Sequence, residues 1–217
     1  MFLHQHPYQP YIPENATKLI VGTLPPPRFT TGQLLPKDVD FCYGSCHNSL
    51  WLYIEKIHGL NLRYDNSQEA IIERKKFLID HNIGICDIVE SAERDKIDAS
   101  DLGMKNIKLR NVVDYLEKFP NVNTLLFTGG NSKNGPEYFF RKHLKKYELK
   151  LEVVSIEVPR IHKFNLKGRI IRTVSLTSGS GAANISIGSM PLYKQLKAKN
   201  PDFNTFDFRV MQYREYF

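Results

Sequence analysis

The sequence lacks most signatures of the common protein classes. Cysteine is scarce, with Cys42, Cys46 and Cys86 as its three members. An odd set of three makes no disulfide framework, and a reducing cytoplasm is the expected compartment, nucleoid-associated if the source is bacterial. Cys42 and Cys46 have a spacing seen at metal sites, with His47 beside them. No second Cys or His pair follows, so no metal and no cofactor is expected, and the thiols read as packed or idle. No apolar run approaches the roughly 18 residues of a membrane span. The start, MFLHQHPYQPYIPEN, has no basic region leading into an apolar core, so neither a secretory signal nor a membrane partner is expected. The dinucleotide fingerprint G-x-G-x-x-G is missing, as is the phosphate-binding G-x-x-x-x-G-K-[ST]. Ser178-Gly-Ser180-Gly lacks the flanks of a nucleophile elbow. These absences remove the commonest α/β enzyme classes.

What is present is ordinary in bulk and biased in charge. The 217 residues suit a single domain spanning 1–217. Hydrophobic residues make up 41% and charged residues 24%, a globular rather than disordered balance. Lys plus Arg is 30 against 23 for Asp plus Glu, a net charge of +7. That sign suits a polyanionic partner, nucleic acid first, or reflects a basic background.

Four short apolar runs end in turn signals: Lys18–Thr23, Ile83–Ile88, Thr124–Thr128 and Arg172–Leu176. Runs of this kind read as strands buried on both faces. Helical patterns lie between and after them, at Asn48–Ile57, Ser67–His81, Asn111–Phe119, Pro136–Tyr147, Pro191–Lys197 and Phe206–Tyr216. The second has Ala70, Ile71, Ile72, Phe77 and Leu78 as its expected inner stripe. Leu151–Val158 reads as a further strand, with Gly168–Leu176 pairing to it across a basic connection, Pro159–Lys167. The pattern predicts an α/β three-layer sandwich around a mostly parallel four-stranded sheet, with or without that extra strand.

In such sheets ligands bind beyond the carboxyl ends of the strands. The segments there are Gly22–Arg28, Val89–Arg94, Gly129–Gly135 and Thr177–Asn184, three of them rich in Gly, Ser, Pro and Asn. Loops of that composition expose backbone N–H groups suited to phosphates or a base edge, though plain turn chemistry gives the same composition. Asn48 reads either as a helix cap or as a group that donates and accepts at once.

Taken in order, Gly22-Thr-Leu-Pro-Pro, Tyr43-Gly-x-x-x-Asn48-x-Leu-Trp51, Gly84-Ile-Cys-Asp-Ile-Val-Glu-Ser-Ala-Glu-Arg94 and Leu176-Thr-Ser-Gly-Ser-Gly-Ala-Ala-Asn184 resemble the motifs of the uracil-DNA glycosylase superfamily. The likeness runs from about Lys18 to Asn184. It is nearest the mismatch-specific uracil and hypoxanthine-DNA glycosylase branch. The chain departs from the pattern at Leu24, where the superfamily often has Asp or Asn, at Ser45-Cys46 for His-Pro, and at Thr177 for Pro.

The resemblance implies hydrolysis of the bond between a deaminated base and its deoxyribose, in monomeric contact with DNA that carries a damaged or mispaired base. Tyr43 would stack on the flipped base. Asn48, the catalytic candidate, would position water or contact the base, since an uncharged amide is no general base near neutral pH. Backbone N–H groups of Gly22, Thr23 and Leu24 would stabilise the leaving base, and Asn131 would read its edge or serve as a turn residue. Pro25, Ser178, Gly179, Ser180 and Asn184 would hold the strand, with a serine-capped helix start as the other reading of the last loop. Asp87 reads as structural, and Glu90, Glu93 and Arg94 as a surface ion network. Arg141, Lys142, Lys145, Lys146, Arg160, Lys163 and Lys167 would offer distant basic surface or a solvated face. No motif lysine suggests a Schiff base. Two other readings remain: a non-catalytic nucleic-acid binder, and a small-molecule nucleotide-binding enzyme.

Overall fold

A computed structural model describes residues 1–97, 100–181 and 183–217 of the chain. Ala182, inside the last expected binding loop, lies outside the described residues.

The chain opens with a short strand, β1 (Phe2–Gln5), and then enters the central sheet at β2 (Lys18–Gly22). A single turn, α1 (Pro27–Thr30), follows the proline run, and α2 (Leu50–His58) and α3 (Gln68–Asp80) lead to β3 (Ile83–Asp87). Strands β4 (Val89–Arg94) and β5 (Met104–Leu109) precede α4 (Val112–Lys118) and β6 (Thr124–Phe127). Helix α5 (Pro136–Leu144) leads to β7 (Glu152–Ser155), β8 (Arg160–Leu166) and β9 (Arg169–Ser175). Three helices close the chain: α6 (Ala183–Ser189), α7 (Pro191–Lys199) and α8 (Thr205–Arg214).

The four apolar runs are parallel neighbours in the order β3-β2-β6-β9. Their side chains alternate between two faces, as period 2 requires. Leu19, Val21, Leu125 and Phe127 face a core built with α4 and α5. Ile20, Ile85, Leu126 and Val174 face a second core built with α2, α3 and α8. Both faces being covered explains why these strands read as continuous apolar runs.

The sheet differs from the expected one. It has six strands and is mixed, because β8 and β7 extend it antiparallel beyond β9. The segment expected to be a basic connection is itself β8, and β7 pairs with β8 rather than with β9. Its pattern is visible in retrospect: His162, Phe164 and Leu166 point inward, while Lys163 and Asn165 between them are exposed. The β8–β9 turn is Lys167-Gly168, with both residues at positive φ (50° and 85°), the twist a two-residue hairpin prefers.

A second difference lies behind the sheet. Val89–Arg94, expected as a loop, is β4, the centre of an antiparallel sheet β1-β4-β5. Arg94, expected at the surface, is buried and donates to His4. Ile72, expected in the inner stripe of α3, is 60% exposed.

Candidate functional site

The sheet register sets the site. Gly22 pairs with Asp87 on the last rung of β2 and β3, and Phe127 pairs with Ser175 at the ends of β6 and β9. Beyond this common edge opens a cleft of about 860 Å³. Thr23, Leu24 and Pro25 line it from the first loop, Tyr43 and Asn48 from the segment before α2, and Ser178, Gly179 and Ser180 from the last loop. The volume falls within the range of pockets that engulf a drug-sized ligand.

Three expected site residues do not line the cleft. Gly22 lies beneath it: a Cβ there would stand 2.2 Å from Tyr43 Oη and 2.6 Å from Asp87 Oδ1. Its role is to leave room for both side chains. Asn131 is exposed, while its neighbours Gly130 and Ser132 form the wall. Asn184 turns away and accepts from Arg209 Nη1 through its Oδ1 at 2.8 Å.

Tyr43 holds a strained backbone, with φ at 58°. Its ring is 9% exposed and packs with Ile20 and Trp51 in one core. Burial pushes the phenol pKa up, so its hydroxyl stays protonated. The loop that presents it hangs on one acid. Asp38, fully buried, accepts from Arg28 Nε (2.7 Å) and Nη2 (2.8 Å) and from the backbone N–H groups of Leu35 and Cys46. Burial alone would raise its pKa, but the guanidinium and the backbone donors outweigh that and hold it well below the carboxylate range. Arg28 also donates to Ser45 Oγ at 2.7 Å, so Ser45-Cys46 stabilises the turn in its own way.

Asn48 is not the helix cap it was expected to be, since Ser49 holds that position one residue later. The Asn48 Oδ1 accepts from Leu50 N–H at 2.9 Å at the start of α2. No described group accepts from its Nδ2, and the half-buried residue lines the cleft.

Asp87 lines the cleft, and behind it stand histidines that sequence reasoning passed over. His6, just after β1, accepts from Tyr8 N–H through Nδ1 and bonds Asp87 Oδ2 through Nε2 at 2.8 Å. An accepting Nδ1 places the proton on Nε2, so a neutral imidazole donates to the carboxylate. His4 lies two residues earlier on the strand and accepts from Arg94 Nε at 2.8 Å. Burial, with Arg94 and His6 nearby, lowers the His4 pKa to about 4. The alternation of His4 and His6 was the available signal, since i and i+2 share a strand face.

Asp101 enters the cleft from the turn before β5. Thr23 Oγ1 stands 3.1 Å from both of its carboxylate oxygens. Asn134 Nδ2 donates to its backbone oxygen at 2.8 Å, and Arg94 Nη1 to that of Ser100 at 2.6 Å. Burial raises the Asp101 pKa to about 6, against the lowering effects of Thr23 and Arg94.

The last loop is held from α8. Arg209, 3% exposed, donates to Ser178 O (2.8 Å), Ser180 O (3.1 Å), Asn184 Oδ1 and Thr205 O. Gln212 Oε1 accepts from Thr177 N–H, and Tyr213 Oη donates to Thr177 O. Spacings of three and four put these residues on one helix face. Of the expected basic surface, Arg160 lines the cleft, while Arg141, Lys163 and Lys167 pair with Glu137, Glu152 and Glu117. Lys133 also lines the wall.

No protein-family model and no curated protein sequence matches the chain. Among solved structures, it is similar to the solution NMR structure of a "putative Uracil DNA glycosylase" from Methanosarcina acetivorans. The two agree with a TM-score of 0.55 over 95% of this chain and 98% of that one, at 18% sequence identity. The likeness is one of fold: an α/β architecture of mixed sheets and helices along nearly the whole chain. Among the described residues no helix is long and apolar enough to cross a membrane.

Proposed function

We propose that the chain is a monofunctional DNA base glycosylase of the uracil-DNA glycosylase superfamily. It removes uracil or hypoxanthine, in the manner of the mismatch-specific and hypoxanthine branch. The observation that carries this reading is the cleft beyond the parallel strand ends, where Thr23, Leu24, Tyr43, Asn48 and Ser178–Ser180 meet. Residues spread over most of the sequence converge there, on a fold shared with a protein named for that activity.

The target nucleotide leaves the stack at a cost of a few kcal/mol, least when it is mispaired. Ser178, Gly179 and Ser180 receive its phosphates through short side chains and backbone, which position the strand without reading sequence. The base enters beside Tyr43. As the glycosidic bond lengthens, negative charge grows on the base, and fixed donors there lower the barrier. Backbone N–H groups of Thr23 and Leu24 and the Nδ2 group of Asn48 are the donors assigned to this step. Water attacks the sugar, and no covalent enzyme intermediate forms.

The test is base release from single- and double-stranded oligonucleotides carrying one uracil or one hypoxanthine, with Asn48→Ala run alongside. Release by the parent chain and a loss of about 10²-fold or more in the variant is the expected result, the size seen when one oxyanion donor is removed. DNA binding without release from any substrate would refute the enzyme reading. A borohydride-trapped adduct, through Lys133 or another amine, would refute the monofunctional step.

A further inference from the structure

We infer that Asp101 is the carboxylate that takes the proton of the attacking water in this cleft. The inference rests on the glycosylase reading above and supplies a group that the motif loops lack. The Leu24 side chain has no polar atom, and the amide of Asn48 cannot accept a proton near neutral pH.

Among the described residues two carboxylates line the cleft, Asp87 and Asp101. Asp87 is committed: His6 Nε2 occupies Oδ2 at 2.8 Å, and Oδ1 lies over Gly22. Asp101 is held differently. Its only described side-chain partner is the Thr23 hydroxyl, shared between its two oxygens. A carboxylate offers about four lone-pair sites, so one hydroxyl leaves it able to accept from water. Thr23 adjoins Leu24, so this contact brings the carboxylate to the first motif loop. Its backbone is anchored by Asn134 from the loop before α5, and the adjoining Ser100 by Arg94 of β4. A group fixed from three elements is preorganised for a defined step.

The surroundings tune it. Burial and the charge of Asp87 raise its pKa, while the Thr23 hydroxyl and Arg94 lower it; the balance stands at about 6. Asp87 is itself bonded to His6, and His4 to Arg94. A base with its pKa near neutrality combines an ionised form with real proton affinity.

The step balances. The water oxygen bonds to C1′ of the deoxyribose, and the C1′–N bond breaks with its electron pair going to the base. One water proton passes to Asp101, which returns it to solvent, and the base anion takes up a proton to leave neutral.

The experiment is single-turnover base release against pH, with Asp101→Asn and Thr23→Val beside the parent chain, together with oligonucleotide affinity and melting temperature. The parent rate rises with pH through one inflection near 6 and then levels. Asp101→Asn melts no lower, binds DNA at least as well, loses about 10²–10⁴-fold in rate and shows no inflection. Thr23→Val moves the inflection upward, because a bond that lowers the pKa is gone. A rate within about threefold of the parent in Asp101→Asn, inflection retained, overturns the inference and leaves the glycosylase reading intact. If Asp101→Asn does not fold, an unmoved inflection in Thr23→Val overturns it. No release by the parent chain overturns both.

Discussion

Arg209 is the residue whose replacement tests most directly how the cleft is held. Arg209→Met keeps the length of the buried stem and removes the guanidinium, and with it four hydrogen bonds to Ser178 O, Ser180 O, Asn184 Oδ1 and Thr205 O. Bonds from a charged donor contribute roughly 1.5–3 kcal/mol each, and a buried acceptor left unpaired costs about 1–3 kcal/mol. The four do not add, because Ser178 is half-buried and Ser180 exposed, so water reaches part of the loop once it loosens. Thr205 O also lies at the start of a helix whose capping box, Asn204 with Asp207, remains. A net loss of about 3 kcal/mol is expected. For a chain of this size that is a fall in melting temperature of roughly 6–12 °C. Calorimetry measures it, and amide exchange locates it: the N–H groups of Thr177 and Ser180 exchange faster while those of β2 and β3 do not. In the base-release assay KM for DNA rises more than kcat falls, since the loop binds phosphates. Arg209→Lys restores the charge without the planar fork and recovers only part of the loss. A melting temperature within about 2 °C of the parent, with Thr177 exchange unchanged, would refute the brace.

Two further substitutions probe the walls. Gly22→Ala puts a Cβ 2.2 Å from Tyr43 Oη, and overpacking of this kind costs about 1–3 kcal/mol. Urea unfolding should show that loss, and adding Tyr43→Phe should recover part of it. His4 gives a pH dependence whose sign follows from burial of its neutral form. Its pKa is about 4 in the folded chain against 6.5 unfolded, so stability is full above pH 6.5 and falls as pH drops toward 4. The loss from this group is at most about 3 kcal/mol. Unfolding at pH 7 and 4.5 should differ less in His4→Gln than in the parent chain.

The local signals in the sequence were strong where one physical cause dominated. β2, β3, β6 and the inner half of β9 are buried on both faces, and their apolar runs ended within a residue or two of the observed strands. Helix α3 begins where Ser67 caps it, accepting from Ala70 N–H at 3.2 Å. Elsewhere the code was mixed. β8 carries apolar and basic residues in alternation, and its charges made it read as a connection. β4 was hidden because Glu90, Glu93 and Arg94 break a simple alternation: its pairing with β5 shifts register twice, and Arg94 is buried.

Taken alone, the amino-acid sequence determined the parallel core of the fold, the helices that cover it and the loops that line the cleft. These depend on local periodicity and turn chemistry, which act over a few residues. The tertiary structure alone decided which of those residues meet. His6 reaches Asp87 across 81 positions, Asp101 reaches Thr23 across 78, and Arg209 reaches Ser178 across 31. It also took Asn131 and Asn184 out of the cleft wall and brought Asp101 into it. Contacts of that kind arise from register and packing between distant elements. No pattern within a short window encodes them, because the energy that selects them belongs to the assembled core.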